Sequence, residues 1–597
     1  MRVLIILVLV LMPLLSNAQN TENWIISPGV VGTFALLILV IVVGIIIMIF
    51  RASNLLSKAT SNAAMKEKKE WSNHLINLEE EELDAILEER KKAFKYRLKG
   101  TELGSSMQRI DERGLITRLT HKPSYPLVDE KKRSTVNLET PEPLKKLIIF
   151  YLGAAVFWLV LGTLAGQYLG MKFVWPDLDH LSWLSFGRLR PVHTNTVFWG
   201  WTSLAMIGLG YFVITRTSNT KLFSYKLGWW GWWLINTSVI LGNAFLMSGI
   251  NNGGGEYREY IWPIMLLFAI ALLITFWNYY KTVANRKLSE IYISNWYILA
   301  ALVWTLVLVT IGYLPYYQSG LGETAIQGYY MHQGVGMWFM TFTLGLVYYY
   351  LPSSLNKPIY SYSLGVLALW TQMLFYTMIG THHFVFSPLP WWLQTTAIVF
   401  SGGMFIPVIA GTTNFMMTIR GSWKAISSSY VLPFFLIGII FYFVGSAQGS
   451  FQAFRFTNYV WHFTDFNVAH SHMTMYGIIA FFMWAGIYAL LPKITGKEAP
   501  QWLIGAHFWL AFIGLFAYMV SLMAGGTLKG LSWMAGEPFI NSVILMQPYW
   551  LWRAIGGTLM FISHLIFAYN FFYMINKRIR PLAIKKNLIT EPQPELV

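Results

Sequence analysis

From Leu147 to Ile575 the sequence is a succession of apolar stretches, each about 20 residues long, the length a helix needs to cross a bilayer core. Twelve such stretches are predicted, near 147–170, 192–215, 228–248, 262–280, 295–315, 327–351, 362–383, 392–418, 430–446, 467–491, 503–525 and 550–575. Lipid offers no partner to a free backbone amide, so a chain built this way folds as helices. The fold expected is therefore an all-α polytopic membrane protein. Every second loop is basic (Arg216/Lys221/Lys226, Lys281/Arg286/Lys287, Lys357, Arg420/Lys424, Lys493/Lys497, Lys577/Arg578/Arg580) and the intervening loops are poor in lysine. That alternation predicts a multi-pass protein of the bacterial inner membrane with both ends of the bundle in the cytoplasm. Charged residues make up only 12% of the chain, against about 25% in soluble domains. A soluble enzyme, a disordered chain and a nucleic-acid reader are poor fits, and the net charge of +16 reflects the basic loops. The chain has no cysteine, which excludes disulfides, iron–sulfur clusters, thiolate metal sites and a covalent c-type haem of its own.

The N-terminal quarter differs. Residues 1–18 have a positive start, an apolar run and the small residues Ser16-Asn17-Ala18, the pattern of a signal peptide. Residues 19–51 contain a further apolar stretch followed at once by Arg51, predicting an N-terminal transmembrane anchor. Residues 52–146 read as a charged cytoplasmic linker, partly helical, then polar and irregular. Residues 147–576 form the expected core, and 577–597 a cytoplasmic tail.

Twelve histidines are present, and six fall at or inside predicted spans near the non-cytoplasmic face: His193, His332, His382, His383, His470 and His472. Ionisable side chains in a membrane are costly and mark function. His470 and His472 are two apart, about 200° around a helix axis, so they face opposite sides and can serve two different cofactors. Neutral imidazole suits copper, iron and haem, and no thiolate competes. Tyr376 lies seven residues before His383, which on one continuous helix places it on nearly the same face. His462, His507 and His564 read as structural or interfacial.

Several stretches together resemble subunit I of the haem–copper oxidase superfamily, and most closely its cbb3-type branch. They are Arg188-Leu-Arg190-Pro-Val-His193, His332-Gln-Gly-Val-Gly, Gly380-Thr-His382-His383, Ala469-His470-Ser-His472 and Arg553-Ala-Ile-Gly-Gly. The resemblance spans roughly 145–575. It implies a twelve-span bundle, here with an extra N-terminal helix. It implies that His193 and His472 ligate a low-spin haem b, that His470 is the proximal ligand of a high-spin haem expected to be b-type, and that His332, His382 and His383 hold copper. By the same resemblance Tyr376 is joined to the ligand His332 and supplies an electron and a proton during O–O cleavage. Arg188 and Arg190 suit haem propionates, and Glu259 matches a glutamate near a calcium ion.

The activity implied is that of the catalytic subunit of a respiratory terminal oxidase. It would reduce dioxygen to water with electrons from separate membrane-anchored c-type cytochrome subunits and protons from the cytoplasm, passing groups such as Tyr348 and Tyr376. Three positions depart from the pattern: Gln448 and Ile261 stand where acids are expected, and Gly365 replaces a serine associated with proton uptake. The alternative within the superfamily is a nitric oxide reductase, with non-haem iron in place of copper and a glutamate as added ligand. No acid lies one turn after His332, and Tyr376 is present, both of which favour oxygen.

Overall fold

The computed structural model describes residues 140–576 except 254, 289 and 315–318, together with scattered positions between 32 and 50 and between 79 and 85. The expected signal peptide 1–18, nearly all of the linker and the tail 577–597 lie outside the described residues. Twelve long helical elements follow in order. They are α1 (Glu142–Lys172), α2 (Phe186–Thr217), α3 (Tyr225–Ser248), α4 (Trp262–Ala284), α5 (Ile293–Tyr313) and α6 (Gly320–Leu355). Then come α7 (Tyr362–Tyr376), α8 (Trp391–Ile419, interrupted at Met404), α9 (Val431–Ala453), α10 (Asp465–Thr495), α11 (Gln501–Met534) and α12 (Phe539–Ile575). Among the described residues there is no strand.

Ten of these helices are long and apolar enough to cross a membrane, so the chain is a multi-pass membrane protein. The two others coincide with expected spans. α3 carries Lys226, Asn236 and Asn243 among its tryptophans, and α7 has only 15 residues. α1 starts at Glu142, five residues before the apolar run, because Pro141 and Pro143 preset its first turn. Near the N-terminus, Gly44 lies against α11: a Cβ there would sit 2.8 Å from Ile513 Cδ1.

Three helices form the centre. The apolar stretches of α2, α6 and α10 are 94%, 89% and 83% buried, against 67% or less for the other spans. Each of the three carries a π-helical segment: Thr196–Thr202 in α2, Gly334–Met340 in α6 and Met473–Ala480 in α10. A π turn leaves a carbonyl displaced from its usual amide partner. Hydroxyls five residues on take up that role: Thr202 and Ser203 donate to the carbonyls of Val197 and Phe198, and Thr341 to that of Gly336. These segments begin three, two and one residues after His193, His332 and His472.

One expectation needs correction. A single helix over 362–383 is not formed. α7 ends at Tyr376, and His382 and His383 sit on a separate 3-10 turn, Gly380–Phe384. The cause is a backbone contact between elements. A Cβ on Gly380 would lie 2.5 Å from the carbonyl oxygen of Gly328 on α6, and a Cβ on Gly328 would lie 2.7 Å from that of Gly380. Two glycines let the turn close onto α6 one helical turn before His332.

Candidate functional site

That contact assembles a three-imidazole cluster. One ligand nitrogen from each of His332, His382 and His383 lies within 4.8 Å of the others, and no carboxylate joins the group among the described residues. Three imidazoles on one metal, with bonds of about 2.0 Å, bring their nitrogens within about 4 Å, so shifts below one ångström close the site. His382 Nδ1 lies 2.5 Å from Ser401 Oγ, and Ser401 donates its own proton to the Ala397 carbonyl at 2.7 Å. Ser401 therefore accepts from Nδ1–H, which leaves His382 Nε2 as the ligand atom. His332 Nδ1 is buried and has no hydrogen-bond partner, the state of an atom reserved for a metal.

A second pair faces across a cavity of about 250 Å³. The rings of His193 and His472 are 14° from parallel with centroids 6.3 Å apart. Two metal–nitrogen bonds of about 2.0 Å and two ring half-widths of about 1.1 Å span about 6.2 Å, so the separation fits two axial imidazoles on one iron. Each Nδ1–H donates to a carbonyl, His193 to Gly162 at 2.7 Å and His472 to Val468 at 2.8 Å, which leaves each Nε2 uncommitted. Gly166 makes room, since a Cβ there would sit 2.5 Å from His193 Cε1.

His470 turns away from that cavity, as the two-residue spacing requires. Its Nδ1 donates to Gln448 Oε1 at 2.9 Å, again presenting Nε2. Gln448, which stands where an acid is expected, is thus the hydrogen-bond partner of this imidazole, a contact the sequence alone does not reveal. Tyr376 packs beside His332 with ring centroids 5.2 Å apart. It reaches that place from the end of α7, not from a face shared with His383. Gly336, within the π segment of α6, gives it space: a Cβ there would lie 2.0 Å from Tyr376 Cε1. Asn414 Nδ2 donates to Tyr348 OH at 3.4 Å, and a Cβ on Gly365 would lie 3.4 Å from the Tyr348 ring. The departure at Gly365 therefore falls beside Tyr348.

The outer mouth of the His193–His472 cavity is lined by Arg190 and Arg553. Arg190 pairs with Glu256 at 2.5 Å. Arg188 is not among the lining residues; its Nη1 donates to the Met247 carbonyl at 3.1 Å. Arg553, not Arg188, is among the lining residues beside Arg190. It is buried, stacks on Phe173, and its Nε has no partner. Its signal in the sequence was a lone arginine inside an apolar span. Glu259 Oε2 accepts from Asn195 at 2.9 Å, while Oε1 is buried without a partner. Burial pushes the Glu259 carboxyl up to about 7, against the opposing hydrogen bond from Asn195.

Residues 146–559 match the family model of cytochrome c and quinol oxidase polypeptide I. The chain belongs to that family. It is an oxidoreductase of the cytochrome c oxidase kind, the catalytic subunit of a terminal oxidase, and the family implies haem and copper. The cbb3-type cytochrome c oxidase subunit CcoN1 of Stutzerimonas stutzeri is 32% identical over 437 residues, 70% of this chain and 91% of the relative. A cytochrome c oxidase subunit 1 homolog of Agrobacterium tumefaciens is 30% identical over 437 residues, 70% of this chain and 81% of the relative. The fold is similar to that in a cryo-EM structure of a haem–copper terminal oxidase dimer, with a TM-score of 0.63, 15% identity and coverage of 74% of this chain and 85% of the other.

Proposed function

We propose that this chain reduces dioxygen to water in a bacterial inner membrane, with electrons delivered at the outer face by membrane-anchored c-type cytochrome subunits and protons drawn from the cytoplasm. The observation that carries the reading is the division of labour on α10. His472 stands across a cavity from His193, and His470 turns the other way onto Gln448. In this reading His193 and His472 hold a low-spin haem b, His470 holds a high-spin haem of b type, and His332, His382 and His383 hold copper. Bound there, these groups supply one-electron relay and the multi-electron reduction of dioxygen.

The chain's own residues do the rest. The Nδ1 protons tied to Gly162, Val468, Gln448 and Ser401 fix four imidazole tautomers and aim their Nε2 atoms. Tyr376, against His332, holds a proton at its phenol oxygen and gives it to the reacting oxygen. Tyr348 and Asn414 lie on the route that restores it. Arg190 and Arg553 bind the carboxylates of the low-spin haem through charge-assisted bonds. Glu259 Oε1, buried and unpartnered, offers a hard oxygen ligand to calcium. Three imidazoles without a carboxylate suit copper better than non-haem iron, which argues against nitric oxide reduction.

Metal analysis of the purified complex, with haem counted by pyridine haemochrome, tests this reading. One copper and two b-type haems per chain are expected. Non-haem iron in place of copper would overturn it in favour of nitric oxide reduction.

A further inference from the structure

Glu256 and Asp465 are the two carboxylates among the described residues that line the His193–His472 cavity. Glu256 is paired with Arg190, which lines the cavity too. Asp465 is held from outside it. It is the first residue of α10 and precedes His472 by seven, so the two share one face of that helix, about 10 Å apart along its axis. Asp465 is 7% exposed, and each of its oxygens is held by a different helix. Lys529 Nζ on α11 donates to Oδ2 at 2.9 Å, and Trp550 Nε1 on α12 donates to Oδ1 at 3.1 Å.

A lysine inside an apolar span is costly and calls for a function, and α11 is shaped to place this one. Gly526, Lys529 and Gly530 follow the spacing of one helix face. A Cβ on Gly526 would collide with the backbone of Phe466, and one on Gly530 with the carbonyl of Val460. The two glycines let α11 press against the start of α10, and Lys529 reaches Asp465 across that contact. Its ammonium also lies 5.1 Å from the centre of the Trp533 ring.

α12 completes the arrangement. Trp550 goes to Asp465, and Arg553, one turn on, goes to the cavity. Phe173 packs against both, 5.1 Å from the Trp550 ring and 4.2 Å from the Arg553 guanidinium. Both Asp465 oxygens are thus engaged elsewhere, and Arg553 Nε keeps no partner. The charges of Arg190 and Arg553 equal those of Glu256 and Asp465, so Lys529 leaves the mouth with one positive charge in excess.

We propose that Lys529 is a positioning residue for the low-spin haem. Through Asp465 it offsets a carboxylate of the cavity wall, leaves Arg190 and Arg553 to the haem carboxylates and raises the midpoint potential of that haem. This rests on the reading that His193 and His472 hold the low-spin haem. Lys529 itself is not among the lining residues and acts through Asp465. An uncompensated anion beside a buried iron favours the oxidised form, which carries one positive charge more than the reduced form. An uncompensated cation favours the reduced form.

The test is a spectroelectrochemical titration of the low-spin haem band in the purified holoenzyme, with carbon monoxide holding the high-spin centre. Mildly alkaline pH keeps carboxyls ionised. Lys529→Met, or Lys529→Gln should the first variant not assemble, lowers the midpoint potential. Asp465→Asn raises it. The double variant Lys529→Met/Asp465→Asn returns close to the wild type, and Lys529→Arg keeps the wild-type value. A residue that merely ties α11 to α10 would not give opposite shifts that cancel. Midpoints unmoved in both single variants, shifts of the same sign, or a double variant that keeps the Lys529→Met shift overturn the proposal. A low-spin band that persists in His193→Ala and His472→Ala instead overturns the haem reading itself.

Discussion

Gln448 Oε1 accepts the Nδ1 proton of His470 at 2.9 Å, and the same amide turns its Nε2 towards Met523 Sδ at 3.5 Å. A neutral amide pulls on an imidazole proton less than a carboxylate does, so His470 is a weaker base than it would be beside an acid. Gln448→Glu is therefore expected to lower the potential of the high-spin haem and raise the iron–histidine stretching frequency in resonance Raman spectra. Gln448→Leu removes the acceptor and should reduce turnover by about 10- to 100-fold. Unchanged spectra in both variants would mean that the hydrogen bond does not reach the iron.

The three-histidine cluster makes a separable prediction. His332→Asn, His382→Asn or His383→Asn should each strip copper and abolish oxygen reduction. The His193–His472 pair stands on other helices and other partners, so the low-spin spectrum should be retained. Optical spectra and copper content, measured together, check this; loss of the low-spin band in these variants contradicts the ligand assignment.

Two glycines serve as steric probes of the same assignment. Gly166→Ala would place a methyl 2.5 Å from His193 Cε1, so the ring must move and low-spin haem content should fall with the rest of the complex intact. Gly336→Ala would place one 2.0 Å from Tyr376 Cε1. Displacing Tyr376 by about 1 Å should lower turnover by about a hundredfold while both haems and copper remain bound.

Glu259 predicts a pH effect on the outer loop. Its carboxyl is held near 7 in the folded chain against an ordinary value of 4.5, so the folded state keeps a proton that the unfolded state gives up. Stability relative to Glu259→Gln should therefore decline as pH rises from 4.5 towards 7, then level off. Thermal unfolding in detergent with chelator present measures the difference. Added calcium should restore the loss in the wild type and not in Glu259→Gln; a pH-independent difference contradicts the assignment.

Much of this was legible before any coordinates. Length and hydropathy outline the helices, and the two-residue gap between His470 and His472 separates two sites by rotation alone. Arg188 and Arg190 are expected together at the haem propionates, whereas the structure sends Arg188 to the Met247 carbonyl and leaves Arg190 at the mouth of the cavity. What the sequence hides is contact between distant elements. α7 stops at Tyr376 because Gly380 meets the backbone of Gly328, a pairing that no local pattern announces. Gln448 and Arg553 act through neighbours far along the chain, and a residue's type alone does not say what it touches.

The π segments carry one more consequence. A turn with an extra residue uncouples the rotational phase of a helix above it from the phase below. In α2, α6 and α10 the cofactor-facing half can thus keep its imidazole aimed while the lower half repacks against other neighbours. Deleting a single residue within Thr196–Thr202, Gly334–Met340 or Met473–Ala480 would rejoin the halves into one continuous spiral. The imidazole above would then swing by about 100°, the angle of one residue in an α-helix, with every side chain still present.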